Sequence, residues 1–173
     1  MSELNIVLRE AFLEHPDSMF TELRDSIEWD ERMNARKTAS FGVPYDYSGI
    51  TYPQTEMPSC LLPVCKKIAQ EIDFTPNNCL MNFYLDGNST MGFHSDSTQE
   101  LEGGTGVAII SLGAERHICY RSKEDKQHKV TYLLKNGALL YMDSLVQGNW
   151  MHAIPKEPGS GERISLTFRH IVM

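Results

Sequence analysis

The chain has 173 residues, 41% of them hydrophobic and 23% charged, with a formal net charge of −7. Such a chain fits one globular domain, and it holds no apolar run near the roughly 20 residues that a membrane-spanning helix needs. The acidic total argues against a surface that grips phosphate backbone along its whole length, although an uneven distribution of charge can still serve a nucleic acid.

In chain order, Met1-Ser2-Glu3-Leu4-Asn5 has no basic segment followed by an apolar one, so no secretory signal is expected. Residues 4–9 predict a short strand. Pro16 suits a first helical position, and Met19, Phe20, Leu23 and Ile27 follow at helical spacing, which predicts an amphipathic helix over 16–28. Residues 30–56 contain Gly42, Pro44, Gly49 and Pro53 without a clear period. They predict a long loop or irregular hairpins, and long loops are often functional. Residues 58–73 predict a second helix, with Ser59 as its cap and Leu61, Val64, Cys65, Ile68 and Ile72 on one face.

From residue 78 the pattern changes to short strands over 78–85, 91–95, 106–112, 116–121, 128–134, 138–142, 150–154 and 162–172. Asp86-Gly87-Asn88, Gly103-Gly104, Asn136-Gly137 and Pro158-Gly159 punctuate them. Helices followed by many short strands predict a mainly β domain, a double-sheet jelly roll with helices packed outside. The whole chain, 1–173, is expected to form one domain. Cys60, Cys65, Cys79 and Cys119 form no CxxC pair and have apolar neighbours, so they are expected to be buried, reduced thiols.

Gly92-Phe93-His94-Ser95-Asp96 carries the first chemical signal. Strand residues two apart project to one face, so His94 and Asp96 can reach a single ion. The best third ligand is His152, in the strand-like stretch Trp150-Met151-His152-Ala153-Ile154. Two histidines and one carboxylate form the facial triad of non-haem iron oxygenases, which leaves coordination positions open. Alone, an HxD pair arises in many proteins, and a lone histidine such as His152 is more often a satisfied core residue. Of the competitors, His15, His117 and His128 are expected on the surface, and His170 on the opposite strand face from Arg169.

The C-terminal run Arg163-Ile164-Ser165-Leu166-Thr167-Phe168-Arg169 alternates throughout. Arg163, Ser165, Thr167 and Arg169 share one face. That face either meets solvent or lines a barrel that holds a dianion. Guanidinium forks suit carboxylates, so two arginines on one strand face can hold the two ends of a dicarboxylate such as 2-oxoglutarate. In Met81-Asn82-Phe83-Tyr84, Asn82 and Tyr84 share a face and offer further hydrogen bonds to it.

Together, these runs resemble the AlkB family of Fe(II)/2-oxoglutarate dioxygenases. The resemblance rests on Asn82-Phe83-Tyr84, Asp86-Gly87, His94-Ser95-Asp96, Ser111-Leu112-Gly113, Trp150-Met151-His152 and Arg163 to Arg169, with a weaker match at Tyr45-Asp46-Tyr47-Ser48-Gly49. It spans roughly residues 35–172. It implies a double-stranded β-helix core over 78–172, with a substrate-recognition lid at about 30–56. It further implies His94, Asp96 and His152 as iron ligands and Arg163, helped by Ser165, at the distal carboxylate of 2-oxoglutarate. Arg169 would stand at the metal-bound end, with Asn82 and Tyr84 as remaining cosubstrate contacts and Tyr47 as a lid tyrosine on the substrate. The resemblance implies Fe(II) as cofactor, with 2-oxoglutarate and O2 as cosubstrates.

The implied reaction hydroxylates a C–H bond, often an N-methyl group on a base, which then leaves as formaldehyde. The implied partner is alkylated single-stranded DNA or RNA, because a base must leave its stack to be reached. No membrane and no obligate protein partner are expected, and the implied location is cytoplasmic, or nuclear in a eukaryote. Repair members usually carry an acidic residue two positions after the ligand aspartate, where this chain has Thr98; Phe41 is the nearest candidate for an aromatic wedge. Arg116, Arg121, Lys123, Lys126, Lys129 and Lys135 outnumber Glu124 and Asp125, so the 116–135 hairpin is a candidate phosphate contact. A protein side chain or a small metabolite is the alternative substrate on the same scaffold.

Overall fold

The structure, a computed structural model, describes residues 3–45 and 49–172. Two antiparallel sheets face each other, and helices cover one of them. The larger sheet has the order β1 (Ile6–Arg9), β8 (Leu139–Met142), β5 (Val107–Gly113), β10 (Arg163–Arg169), β3 (Asn78–Tyr84) and β2 (Lys37–Gly42). The smaller has the order β4 (Met91–His94), β9 (Trp150–Ile154), β6 (Arg116–Ser122) and β7 (Lys129–Leu134). This is the double-sheet jelly roll expected from the run of short strands, and the double-stranded β-helix that the resemblance implies.

Alternation sorts the side chains into two cores. Ala108, Ile110, Leu112, Ile164, Leu166 and Phe168 leave the outer face of the large sheet and pack under the helices. Val107, Ile109, Leu140 and Met142 point the other way and meet Ile118, Tyr120, Leu134, Trp150 and Ile154 of the small sheet. Helix α1 (Pro16–Ser26) starts at Pro16 and buries Leu23. Helix α2 (Leu62–Ile72) buries Val64 and Ile68. Ser59 does not cap it: Ser59–Leu61 forms a single 3-10 turn, and the helix begins after it.

Three local expectations need correction. Within 30–56, Lys37–Gly42 is a regular strand on the edge of the large sheet, in register with β3 from Lys37 opposite Phe83 to Gly42 opposite Asn78. Its inward face carries Thr38 and Ser40, so no hydrophobic period marks it. Gly42 ends the strand at φ +78°, where an added Cβ would lie 2.1 Å from the Asn77 carbonyl oxygen, so only glycine fits. Phe41 is no wedge; it packs partly buried against the core beneath the helices. Finally, a short helix, α3 (Ser144–Asn149), precedes β9, and the Asp143 carboxylate accepts a hydrogen bond from the Val146 amide at its start. All four cysteines are free, but only Cys79 is fully buried. Among the described residues no helix is long and apolar enough to cross a membrane.

Candidate metal and cosubstrate site

Strands β4 and β9 place His94 directly opposite His152, after a register irregularity between Met91 and His94. Bulges re-aim side chains in this way. The two imidazole rings lie 4.3 Å apart, centroid to centroid. Asp96 lies beyond the end of β4 rather than within it, so strand alternation alone does not place it. Two hydrogen bonds hold the segment instead. Ser95 Oγ donates to the Trp150 carbonyl at 2.7 Å, and the Asp96 amide donates to Gln147 Oε1 at 2.8 Å. One ligand-type atom from each of His94, Asp96 and His152 falls within 4.8 Å of the others.

The donor set suits a divalent ion. His94 Nδ1 donates to the Gly92 carbonyl at 2.8 Å, since a carbonyl can only accept, and Nε2 is left facing the site. That Nε2 lies 3.4 Å from Asp96 Oδ1. Asp96 Oδ2 is occupied otherwise, with Arg169 Nη2 at 3.2 Å and Gln147 Nε2 at 3.4 Å. Oδ1 is therefore the oxygen left for an ion. Burial pushes the Asp96 carboxyl upward, but Arg169 and the two histidines outweigh it and hold the group below the usual carboxylate range. Burial, with the charges of His94 and Arg169, depresses His152 to about 4, so its imidazole is neutral and able to bind metal at neutral pH. Burial of His94 is outweighed by Asp96 and the Gly92 carbonyl, and its value lies above the ordinary one.

A pH dependence follows. A proton on His94 competes with metal, so metal affinity should rise as pH increases through the range above that of an ordinary imidazole. His152 adds nothing there. Titration with Co(II) or Mn(II) at a series of pH values should show close to one proton released per ion bound. A flat profile over that range would contradict the arrangement.

The cosubstrate residues lie on β10 and β3, as their alternation predicts. Arg163, Ser165, Thr167, Arg169, Asn82 and Tyr84 are all buried and line one cavity with the three candidate ligands. Arg163 Nη2 donates to Ser111 Oγ at 2.8 Å. Among the described residues its Nε and Nη1 have no partner, and neither do Nε and Nη1 of Arg169. Burial pushes the Arg163 guanidinium below its ordinary value. Among the described residues no carboxylate lies within salt-bridge distance of Arg163. Two buried guanidiniums with unmet N–H groups, at opposite ends of one strand face, fit an absent dianion. The cavity therefore matches a metal ion with a dicarboxylate beside it.

Several contributors carry no motif of their own. Gln147 sits on α3 and bonds both the amide and the carboxylate of Asp96. Arg36, before β2, donates through Nε to Asn82 Oδ1 at 2.8 Å and through Nη1 to the Thr90 carbonyl at 2.9 Å. Tyr45 is buried, with its ring 4.1 Å from the Arg169 guanidinium carbon. Of the predicted substrate contacts, Tyr47 lies outside the described residues. Thr98 is exposed in the turn after Asp96 and does not line the cavity. The basic hairpin also needs correction. Arg116 is wholly buried and donates to the Asp86, Ser89 and Pro155 carbonyls. Lys135 pairs with Glu10. Lys123, Lys126 and Lys129 remain exposed, and Arg121 stacks over Phe93.

Replacing Gln147 with leucine should keep the fold and weaken Fe(II) retention by roughly 10- to 100-fold, the usual cost of losing a group that orients a ligand. Metal content after desalting would measure it, and unchanged retention would show that Arg169 alone orients Asp96.

A double-stranded β-helix with two histidines, one aspartate and a pair of unsatisfied arginines defines a non-haem iron, oxo-acid type of site. The family described as the 2OG-Fe(II) oxygenase superfamily matches residues 8–169, and the chain belongs to it. The family's description gives Fe(II) as the metal and 2-oxoglutarate as the cosubstrate, and an oxygenase consumes O2. The chain is 31% identical over 179 residues to alpha-ketoglutarate-dependent dioxygenase alkB homolog 3 of Mus musculus, covering 92% of this chain and 63% of that protein. It is 28% identical to the DNA oxidative demethylase ALKBH2 of Mus musculus, covering 90% of this chain and 75% of that protein. The chain thus spans less than two thirds of the alkB homolog 3 length. The solved structure of OsALKBH1 superposes with a TM-score of 0.75 over 98% of this chain and 100% of that one, at 17% identity, which bears on the fold.

Proposed function

We propose that this protein is a dioxygenase that oxidatively demethylates N-alkylated bases in single-stranded DNA or RNA. The observation that carries the reading is the pair of buried arginines, each with two unmet N–H groups, flanking a His-Asp-His cluster in one cavity. His94 Nε2, Asp96 Oδ1 and His152 would hold Fe(II). Arg163, with Ser165, would take the distal carboxylate of 2-oxoglutarate, and Arg169 would serve its other end. Asn82 and Tyr84 complete the cosubstrate shell. Bound iron and 2-oxoglutarate, with O2, supply the oxidation that converts N–CH3 to N–CH2OH and yields succinate and CO2. The hydroxymethyl product then separates into formaldehyde and the free base.

This chain's own residues do the positioning. Arg169 fixes Asp96 Oδ2, so the carboxylate presents one oxygen. The Gly92 carbonyl fixes the His94 ring. The apolar wall of Ile109, Ile118, Leu134 and Ile154 lowers the local dielectric and so strengthens each charged contact. The relatives' names supply the substrate class, and exposed Lys123, Lys126 and Lys129 offer a local basic edge despite the acidic total. One domain with a lid at about 30–56 over a core at 78–172 fits this role, and such a substrate puts the enzyme in the cytoplasm, or in the nucleus of a eukaryote.

The test is anaerobic loading with Fe(II) and 2-oxoglutarate, then O2, scoring succinate and formaldehyde with and without a methylated single-stranded oligonucleotide. Oligonucleotide-dependent formaldehyde is expected. Succinate without formaldehyde would overturn the substrate class and point to a protein side chain or a small metabolite.

A further inference from the structure

The outer edge of β2 contains a short gap. Thr38 exchanges both backbone hydrogen bonds with Asp30, at 2.7 and 3.0 Å, and the Gly42 amide donates to the Thr55 carbonyl. In an antiparallel strand alternate residues address the same edge. Ser40, midway between them, therefore turns its N–H and C=O outward as well, and no described residue takes either. These two groups lie along a groove of about 470 Å³ whose apolar walls include Ile27, Trp29, Phe41, Tyr52 and Pro53.

The size of the gap decides what fits. Thr38 and Gly42 are about 13 Å apart along the strand, and the chain at Asp30 and Thr55 fills both ends. An added strand would collide with those flanks. A single flat ring would not. The chemistry decides further. Arg32 at the rim is committed to Asp30, and the neighbouring Glu28 is acidic, so the groove does not attract a phosphate. An adjacent donor and acceptor between aromatic walls matches an unmodified nucleobase, because each base carries a neighbouring donor and acceptor on its pairing edge.

We propose that the Ser40 groove binds an unpaired base of the substrate strand, a neighbour of the one entering the iron cavity. This rests on the nucleic-acid reading above. The position suits it: β2 lies two strands from β10 and the groove sits one strand spacing beyond its outer edge, so the groove stands about 14 Å from the arginine-bearing strand, about two nucleotides along an extended strand. Occupying the groove requires a free pairing edge, so the site itself selects single-stranded over duplex substrate.

The test is Ser40→Pro, which deletes the outward N–H. Proline is tolerated on an edge strand when its missing donor faces away from the sheet. Melting temperature and 2-oxoglutarate binding serve as fold controls. Affinity for a methylated single-stranded heptanucleotide, read by fluorescence anisotropy, should fall roughly tenfold, as for loss of one stacked base. Turnover of the methylated mononucleotide should not change. Independently, abasic substitution at each position beside the lesion in the wild-type complex should find one position whose loss weakens binding similarly, and that loss should have no further effect in Ser40→Pro. Equal binding by variant and wild type, or indifference to every abasic position, overturns the groove assignment while leaving demethylation intact. A wild-type protein that neither binds nor demethylates any oligonucleotide overturns the nucleic-acid reading itself.

Discussion

Asp96→Ala should lose its iron and much of its stability, whereas His152→Ala should lose the iron alone. The difference comes from what each leaves behind. Asp96 Oδ2 is the carboxylate oxygen 3.2 Å from the buried Arg169 guanidinium. Removing it strands a buried charge, which costs about 3–5 kcal/mol. For a chain of this size that lowers the melting temperature by roughly 10 °C or more. His152 is already neutral at neutral pH, so its loss strands no charge, and a cost within about 2 kcal/mol is expected. Burial raises the Asp96 carboxyl and Arg169 lowers it further, with a net downward shift. The stabilisation from the pair is thus present above the ordinary carboxyl range and lost as pH falls below it. Thermal melts of the metal-free proteins and metal content after anaerobic loading separate the two roles. Stoichiometric iron in His152→Ala would remove that residue from the ligand set. Wild-type melting in Asp96→Ala would mean that Arg169 finds another acceptor.

Residues whose side chains follow strand periodicity were legible in the sequence, and residues placed by tertiary contacts were not. The alternation of Arg163 to Arg169 put four polar side chains on one face, and all four line the cavity. Asn82 and Tyr84 followed the same rule on β3. By contrast, β2 carries no hydrophobic period, because its inward face is Thr38 and Ser40. Gln147 belongs to a six-residue helix, too short to establish a period, and its partner Asp96 is 51 residues away in sequence. Arg36 and Tyr45 reach the site only because β2 joins the large sheet. Arg116 misled in the opposite direction: within the 116–135 segment its charge reads as surface, yet three backbone carbonyls hold it in the interior. Local chemistry identifies a donor set, but only the register shows which charges are inside.

Arg163→Met should raise the 2-oxoglutarate requirement steeply while leaving the empty protein as stable as before, or more so. Arg163 is 1% exposed, its Nη2 donates to Ser111, and its Nε and Nη1 have no acceptor among the described residues. With no carboxylate beside it, this cation is a cost to the folded chain that the cosubstrate repays. Exchanging such a group for an apolar side chain of similar length is commonly neutral or stabilising by about 1–4 kcal/mol. Its loss from a hydrogen-bonded charge pair costs the bound state about 3–4 kcal/mol, or two to three orders of magnitude in affinity. The two effects have opposite signs, so one pair of measurements tests both. With Mn(II) present throughout, adding 2-oxoglutarate at a level that saturates the wild type should raise the wild-type melting temperature through linkage and barely move that of the variant. The ligand-free variant should melt at or above the wild type. A variant that melts lower when empty would mean that Arg163 is structural. An unchanged 2-oxoglutarate requirement would transfer the anchoring role to Arg169, whose own two unmet N–H groups face the same cavity.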